Sequence, residues 1–271
     1  MNCSKEEFLN VLDKIYNDMI YQIEKEEIPK AYILGGQPGA GKTTIIDLLV
    51  ENNSNLIVIN GDEFRKKHPH YRELVKKYGD EAVLYTQKFA GKITEALINK
   101  LSDSKYSIVV EGTLRTVEVP EKTKTLLEQK GYEAELSLIL VKPEFSYLST
   151  LLRYEEMQNF GTIPRMTPKE HHDLVSEKII ENISLIYNKK IFKRLTIYNR
   201  EKRCLYSLKD APNTNPAEIF LKEFSRNLTH KELENIVSGY EKVLFNMDKR
   251  DAEVSEKEKI KELLENFKKY N

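Results

Sequence analysis

The sequence lacks several features that would assign it to a class of protein at once. Its 271 residues carry no net charge, because 43 lysines and arginines balance 43 aspartates and glutamates. Without a net positive field the surface as a whole does not attract phosphates, so we expect no nucleic-acid partner, although a local basic pocket is not excluded. The two cysteines, Cys3 and Cys204, show neither the spacing of a metal site nor a disulfide framework.

Long hydrophobic runs are also missing. No apolar run reaches the ~18 residues that a membrane-spanning helix needs. The first ten residues, MNCSKEEFLN, lack the basic and then apolar regions of a signal peptide. We therefore expect a cytoplasmic protein without membrane association. With 40% apolar and 32% charged residues the chain can still bury a core, and its length fits one large domain or two small ones.

Short apolar runs alternate with amphipathic segments along most of the chain. The runs have the composition of buried parallel strands, and they span residues 31–34, 56–59, 107–110, 135–141 and 194–198. Helices are predicted over residues 42–51, 71–78, 80–102, 120–130, 144–158 and 168–189. This alternation predicts an α/β fold with a mostly parallel sheet flanked by helices in three layers.

Both ends of the chain are predicted to be helical. Ser4 and Glu7 form a capping-box pattern before a helix expected from about residue 5 to 25, so that residues 1–28 form an N-terminal helix. After a short edge strand at residues 203–208, amphipathic helices over residues 216–271 form a C-terminal extension. We expect these parts to belong to one domain that spans residues 1–271.

The most specific motif follows the first predicted strand. Gly36, Gly41, Lys42 and Thr43 have the spacing of a P-loop, and apolar residues typical of a buried helix follow them. Glycines let backbone N–H groups surround a polyphosphate, and the helix N-terminus adds positive potential. Lys42 is expected to reach the β- and γ-phosphates and the Thr43 hydroxyl to hold Mg²⁺. The alternative is a chance glycine turn before a helix. The predicted nucleotide-binding residues are Gly36, Gln37, Pro38, Gly39, Ala40, Gly41, Lys42, Thr43 and Thr44.

Polar residues follow the next two predicted strands. Asp62 comes after the second strand and Glu111 after the third. Ligand sites of open parallel sheets gather at this edge, so Asp62 is a candidate base for a substrate hydroxyl and Glu111 a candidate for metal or substrate binding. Helix capping is the structural alternative for both acids. Thr113 is either a site residue or a turn residue, and Arg65 is interpreted as a solvated residue of a first helical turn.

A cationic segment lies further along the chain. Arg153 falls on a predicted helix, and Arg165 follows a glycine- and proline-containing turn. Two arginines beside a mobile loop suit charge stabilisation on a transferring phosphoryl group, and ordinary surface arginines are the alternative. His171 and His172 point to different faces of one helix, which makes them a poor metal site.

Taken in order, these motifs resemble the zeta toxins of bacterial toxin–antitoxin systems. The matching segments are residues 36–43, 60–65, 94–96, 111–116, 153–155, 165–169, 172–173 and 195–200. Zeta toxins are P-loop kinases that transfer a phosphate from ATP or GTP to the 3′-hydroxyl of UDP-N-acetylglucosamine. A small antitoxin inhibits them when its helix blocks the nucleotide site. The resemblance thus implies this reaction and this partner, and it departs at Leu114, where the family often has glycine.

The resemblance also implies roles for individual residues. Asp62 matches the base for the sugar hydroxyl. The cations that match those holding the transferring phosphate are Lys42, Arg153 and Arg165. The residues that match the acceptor site are Glu95, Glu111, Thr113, Arg115 and Thr123. Without the resemblance Glu95 would be interpreted as a surface acid on a helix, and Thr123 rests almost entirely on the resemblance.

Two other functions compete with this one. The first is a P-loop kinase for a different small-molecule hydroxyl, and the second is a nucleotide-dependent binding or switch protein. A carboxylate at Asp62 together with Lys42 favours a kinase over a switch. The choice between ATP and GTP stays open.

Overall fold

A computed structural model describes residues 3–160, 164 and 166–269 of the chain. Within these residues six strands form one sheet in the order β2-β3-β1-β4-β5-β6. The strands are β1 (Lys30–Gly35), β2 (Ile57–Ile59), β3 (Ile108–Glu111), β4 (Glu133–Ile139), β5 (Leu195–Tyr198) and β6 (Cys204–Ser207). The strand pairs are parallel except for β5 and β6, which are antiparallel, so the predicted mostly parallel α/β sheet is confirmed.

Ten α-helices surround this sheet in the described part of the chain. They are α1 (Lys5–Ile20), α2 (Lys42–Asn52), α3 (Tyr71–Tyr78), α4 (Ala82–Asp103), α5 (Glu118–Gln129), α6 (Pro143–Asn159), α7 (Lys169–Asn188), α8 (Pro216–Ser225), α9 (His230–Lys249) and α10 (Val254–Lys268). Two short 3-10 helices, Glu63–Lys67 and Gly79–Glu81, flank α3. None of the described helices is both long and apolar enough to cross a membrane.

The first helix is shorter than the sequence predicts. The capping box between Ser4 and Glu7 is present, and α1 begins at Lys5 as expected. It ends at Ile20 and not near residue 25, because Tyr21 is already extended and Gln22 adopts a left-handed backbone with φ of 61°. The predicted N-terminal helix over residues 1–28 is therefore too long by slightly more than two turns at its C-terminal end.

The fourth strand is displaced by two residues from its prediction. Pairing with β1 runs from Glu133 to Leu138, whereas the predicted strand covered residues 135–141. Leu140 and Val141 lie beyond the strand and are nevertheless buried. Their hydrophobicity correctly indicated that both residues are buried. A buried residue near the carboxyl edge of a sheet, however, does not have to belong to a strand.

Helices cover both faces of the sheet. Apolar residues of α2, among them Ile45 and Leu49, pack on the face that carries Val109 and Ile139. The opposite face packs against α1 and α4 near β2 and β3, and against α7 and α8 near β4 and β5. A separate apolar cluster joins α6 to α9 and α10. This three-layer arrangement places the carboxyl ends of β1, β2 and β3 at one edge, and the assignment of all these parts to one domain stays a prediction.

Candidate active site

The P-loop connects β1 to α2 through two glycines with left-handed backbones. Gly39 has a φ of 75° and Gly41 a φ of 94°. A methyl carbon added at Gly39 would lie 2.0 Å from the Ser146 carbonyl oxygen on α6. Glycine is therefore required at position 39 both by the backbone angle and by this close approach. The P-loop turns tightly here and rests directly on the first turn of α6.

Lys42 is the first residue of α2 and is held against the P-loop. Its side chain is 9% exposed, and its Nζ donates a hydrogen bond to the Gly36 carbonyl at 3.0 Å. The Glu111 carboxylate at the end of β3 lies 3.7 Å from the same nitrogen. Burial lowers the pKa of the Lys42 ammonium, and the charges of Glu111 and Asp62 act in the opposite direction. Lys42 and the two predicted acids thus share one electrostatic environment.

Arg200, at the end of β5, holds the P-loop from the other side. Its Nη2 donates to the Gly39 carbonyl at 2.6 Å and to Ser149 Oγ at 3.0 Å, while its Nε donates to the Ala40 carbonyl at 3.1 Å. These carbonyls point away from the N–H groups that would face a phosphate, so the guanidinium fixes the loop from behind. The sequence analysis gave Arg200 no role, although residues 195–200 belong to the matching segments.

Gln37 was predicted to bind nucleotide, and the structure commits its side chain to the protein instead. Its amide nitrogen donates to the Val141 carbonyl at 2.6 Å and to Ser146 Oγ at 3.2 Å, and the whole residue is buried. Ala40 is buried as well. Neither side chain can contact a nucleotide, so any contact at these positions has to come from the backbone, which is the usual role of P-loop residues between the glycines and the lysine.

Asp62 lies at the carboxyl edge of the sheet, where the sequence places it. Its side chain is 50% exposed and accepts a hydrogen bond from Arg65 Nε at 3.1 Å. It precedes a 3-10 helix without capping it, so the structural alternative of an N-cap is wrong. Arg65 also donates to the Val83 carbonyl at 2.8 Å, and its side chain is 16% exposed. Arg65 is thus an anchored residue beside Asp62 and not a solvated one.

A cavity of about 280 Å³ opens beside Asp62. The second 3-10 helix and the start of α4 form one side of it, and α6 contributes Arg153 and Met157. The cavity therefore brings Asp62 and Arg153 together although they are far apart in sequence. Arg153 is exposed on α6, and its positive charge lowers the pKa of Lys42. Arg165, the other predicted arginine, lies outside the described residues.

Two of the predicted acceptor residues lie away from this cavity, on helices. Glu95 is exposed on α4. Thr123 is on α5, where its hydroxyl donates to the Val119 carbonyl at 2.9 Å in the same helix. Neither residue lines the cavity within the described part of the chain. The structure therefore does not bring Glu95 and Thr123 together with Asp62 in this cavity.

The segment after β3 carries the remaining predicted acceptor residues. Thr113 is half-buried and Arg115 is exposed. Between them Leu114 has a φ of 55°, the left-handed conformation that favours glycine. Its side chain is buried, and its carbonyl accepts a hydrogen bond from Asn182 at 2.9 Å. The departure from glycine noted at Leu114 thus falls on a strained position that core packing and Asn182 stabilise.

The helix α6 is held in place by the two residues that follow Arg153. Tyr154 is buried and donates to Asp80 at 3.3 Å, at the cavity wall. The buried Glu155 accepts two hydrogen bonds from Arg250, at 2.7 and 3.0 Å. This bidentate pair connects α6 to the turn between α9 and α10, so the C-terminal helices support the backbone of Arg153.

The sheet order, the P-loop and the acids at the carboxyl edge define a P-loop kinase-like α/β protein. The model of the Zeta toxin family matches residues 15–210, and the chain belongs to this family. Toxin PezT of Streptococcus pneumoniae serotype 4 is 46% identical over 219 residues, which cover 80% of this chain and 86% of that protein. Toxin zeta of Streptococcus pyogenes is 36% identical over 256 residues, 93% of this chain and 89% of that protein.

A solved structure gives the same result. It belongs to a study of the PezAT chromosomal toxin–antitoxin system of Streptococcus pneumoniae, and it superposes with a TM-score of 0.82 at 37% sequence identity. The match covers 91% of this chain and 98% of that chain. The resemblance inferred from the ordered motifs is thereby confirmed at the level of family and fold.

Proposed function

We propose that the protein is a kinase that transfers the γ-phosphate of ATP or GTP to the 3′-hydroxyl of UDP-N-acetylglucosamine. The observation that carries this proposal is the placement of Asp62. It lies at the mouth of a cavity shared with Arg153, and its charge acts on Lys42 of the P-loop. The proposed base and a second cation thus line one cavity, and the charges of both act on the proposed phosphate-binding lysine, which supports phosphoryl transfer.

Each residue has a defined task in this proposal. The acceptor oxygen forms a bond to the γ-phosphorus while the bond between that phosphorus and the β–γ bridging oxygen breaks, and Asp62 takes the proton of the hydroxyl. Lys42 and the P-loop amides hold the β- and γ-phosphates. Arg153 and Arg165 stabilise charge on the moving phosphoryl group. Most of the rate enhancement comes from positioning and charge stabilisation.

The oxygen groups near the P-loop fit a magnesium ion. Thr43 is exposed in the first turn of α2, and the Glu111 carboxylate at the end of β3 is partly exposed. Hydroxyl and carboxylate oxygens are the ligands that Mg²⁺ prefers, together with phosphate oxygens and water. Bound there, Mg²⁺ would neutralise charge on the β- and γ-phosphates.

The nucleotide-sugar acceptor is long enough to extend beyond the cavity. We assign its sugar to the vicinity of Asp62, and we propose that the sugar or the rest of the molecule contacts Glu95, Glu111, Thr113, Arg115 and Thr123. Arg115 is the cation among them, and its exposed guanidinium suits a diphosphate. Phosphorylation of this cell-wall precursor would block its use in peptidoglycan synthesis.

A protein partner follows from the family. A relative at 37% identity was studied as part of a toxin–antitoxin system. We propose that a small helical antitoxin inhibits this chain by covering the nucleotide site, and that the pair acts in the cytoplasm, where the nucleotide sugar is made.

One assay tests the reaction. The protein is incubated with ATP, Mg²⁺ and a panel of UDP-sugars, and the products are analysed by mass. We expect a mass gain of one phosphate on UDP-N-acetylglucosamine. Phosphorylation of another hydroxyl compound alone would favour a different kinase specificity, whereas ATP consumption without any phosphorylated acceptor would exclude the kinase.

A further inference from the structure

A chain of four side chains runs from the surface of α7 to the underside of the P-loop. It begins at Asp173, which is 40% exposed, and continues through the fully buried His172. His172 Nδ1 lies 3.0 Å from Asp173 Oδ1, and its Nε2 lies 2.8 Å from Ser146 Oγ on α6. Ser146 Oγ in turn lies 3.2 Å from the amide nitrogen of Gln37. From the sequence, His172 and Asp173 were noted as a match to the family, and His172 was also considered, with His171, as a poor metal site.

The carboxylate of Asp173, at the exposed end of this chain, determines which ring nitrogen of His172 carries the hydrogen. A carboxylate only accepts, so Nδ1 of His172 carries the hydrogen and donates to Asp173. Burial lowers the pKa of His172 and so favours the neutral ring, whereas the hydrogen bond and the charge of Asp173 act in the opposite direction.

The Ser146 hydroxyl has two acceptors within reach, the Pro143 carbonyl at 3.1 Å in its own helix and the free Nε2 of His172 at 2.8 Å, and the shorter contact favours Nε2. Ser146 Oγ in turn accepts from the Gln37 amide. The second amide hydrogen of Gln37 goes to the Val141 carbonyl at 2.6 Å.

The same serine touches the P-loop twice. Its hydroxyl orients Gln37, and its backbone carbonyl is the atom that a methyl carbon at Gly39 would approach to 2.0 Å. His172 therefore acts on Gln37 through the Ser146 hydroxyl, while the approach to Gly39 is made by the backbone of α6 at the same residue. Ser146 resembles the nucleophile of a Ser–His–Asp triad, but it is fully buried and no substrate can reach its oxygen. A support role is the one that this geometry allows.

We propose that His172 is a positioning residue of the P-loop: with Asp173 it orients the Ser146 hydroxyl, and this hydroxyl holds Gln37, and with it the P-loop, in the conformation that binds the nucleotide. This inference rests on the proposed nucleotide binding by residues 36–43 and does not depend on the identity of the acceptor. It assigns α7, which contributes no residue to the cavity within the described part of the chain, to the donor side of the reaction.

Three variants break the chain at different points. Ser146→Ala removes the hydroxyl, His172→Phe keeps the ring and removes both hydrogen bonds, and Asp173→Ala removes the acceptor at the exposed end. Asp173→Asn is the conservative variant, because its amide oxygen still accepts from Nδ1. The matched control is His171→Ala at the exposed neighbouring position. The binding constant for ATP with Mg²⁺ is measured by equilibrium titration, and KM for ATP, KM for UDP-N-acetylglucosamine, kcat and Tm are measured in parallel.

We expect Kd and KM for ATP to rise roughly three- to tenfold in each of the three variants, the effect of one or two lost buried hydrogen bonds. The double variant of Ser146 and His172 should lose no more than the larger single variant, because both act through one pathway. At saturating ATP, kcat and the acceptor KM should change less than about twofold. Asp173→Asn and His171→Ala should stay near wild type.

The outcomes separate this inference from the proposed function. If the wild-type protein binds ATP and the folded variants bind it equally well, the inference is wrong and the proposed function stands. A loss of ATP affinity that merely follows a lower Tm and a higher acceptor KM would also overturn it. Should His172→Phe not fold, Asp173→Ala at the exposed end decides. If the wild-type protein binds neither ATP nor GTP, both proposals are wrong.

Discussion

The two sides of the candidate active site are built differently. On the donor side Gln37, Ala40 and Lys42 are buried, and Arg200 and Ser146 fix the P-loop from behind and below. On the acceptor side Asp62 is half exposed and Arg115 is exposed. Buried and hydrogen-bonded groups have already lost their conformational freedom, whereas exposed side chains lose it when the ligand binds. The nucleotide site is thus preorganised, whereas the side chains of the acceptor site lose conformational entropy when the acceptor binds.

The largest expected effect lies on the acceptor side. Asp62→Asn keeps the shape of the side chain and removes the base. Since general-base catalysis contributes about 100- to 10,000-fold, we expect kcat to fall by at least about 100-fold, with Kd for ATP and Tm unchanged. Steady-state kinetics and ATP titration check this. Transfer at the wild-type rate would show that Asp62 is not the base.

A smaller effect is expected from the back of the P-loop. Arg200→Met keeps the aliphatic part of the side chain and leaves the carbonyls of Gly39 and Ala40 without their donor. A lost partner of this kind costs about 1–3 kcal/mol, so Kd for ATP should rise roughly 5- to 100-fold and Tm should fall. The exposed Arg203→Met is the control. Unchanged ATP binding in a folded Arg200→Met protein would contradict the conclusion that the donor side is preorganised by contacts behind the P-loop.

The smallest effects are expected at two acceptor positions on helices, the exposed Glu95 and the half-buried Thr123. Glu95→Gln and Thr123→Val should raise KM for UDP-N-acetylglucosamine by about two- to fivefold, as expected for single partly solvated hydrogen bonds. Neither should change Kd for ATP, and Tm should move little, as is usual for surface substitutions. Lys88→Gln, at another exposed position of α4, is the control. A change in ATP affinity here would show that the two sides are coupled.

The sequence predicted best where the signal is local. The P-loop, its strand and its helix lie within about 25 residues, and the pattern of glycines with Lys42 and Thr43 is specific. The capping box fixed the start of α1 for the same reason. The end of α1 was missed because a left-handed residue such as Gln22 leaves no compositional signal. The displacement of β4 arose because Leu140 and Val141 are buried without pairing.

The supports of the site could not be predicted, because they join distant parts of the chain. Arg200 contacts residues 160 and 161 positions earlier, and Ser146 contacts Gln37 across 109 positions. No spacing rule identifies such contacts. Arg65 was taken for a solvated residue since its partner Val83 lies on another element. Arg200 could have been predicted as a site residue because it is a polar residue shortly after a predicted strand. Asp62 and Glu111 were identified from the same signal.

The position of Arg200 also has a consequence for the order in which the protein is made. The glycines and Lys42 of the P-loop leave the ribosome early, but the guanidinium that holds the carbonyls of Gly39 and Ala40 is added 160 residues later. A nascent chain or a fragment that ends before residue 200 contains the whole phosphate-binding motif without this support. The nucleotide site is therefore completed only after β5 and Arg200 have been synthesised, when about three quarters of the chain exists.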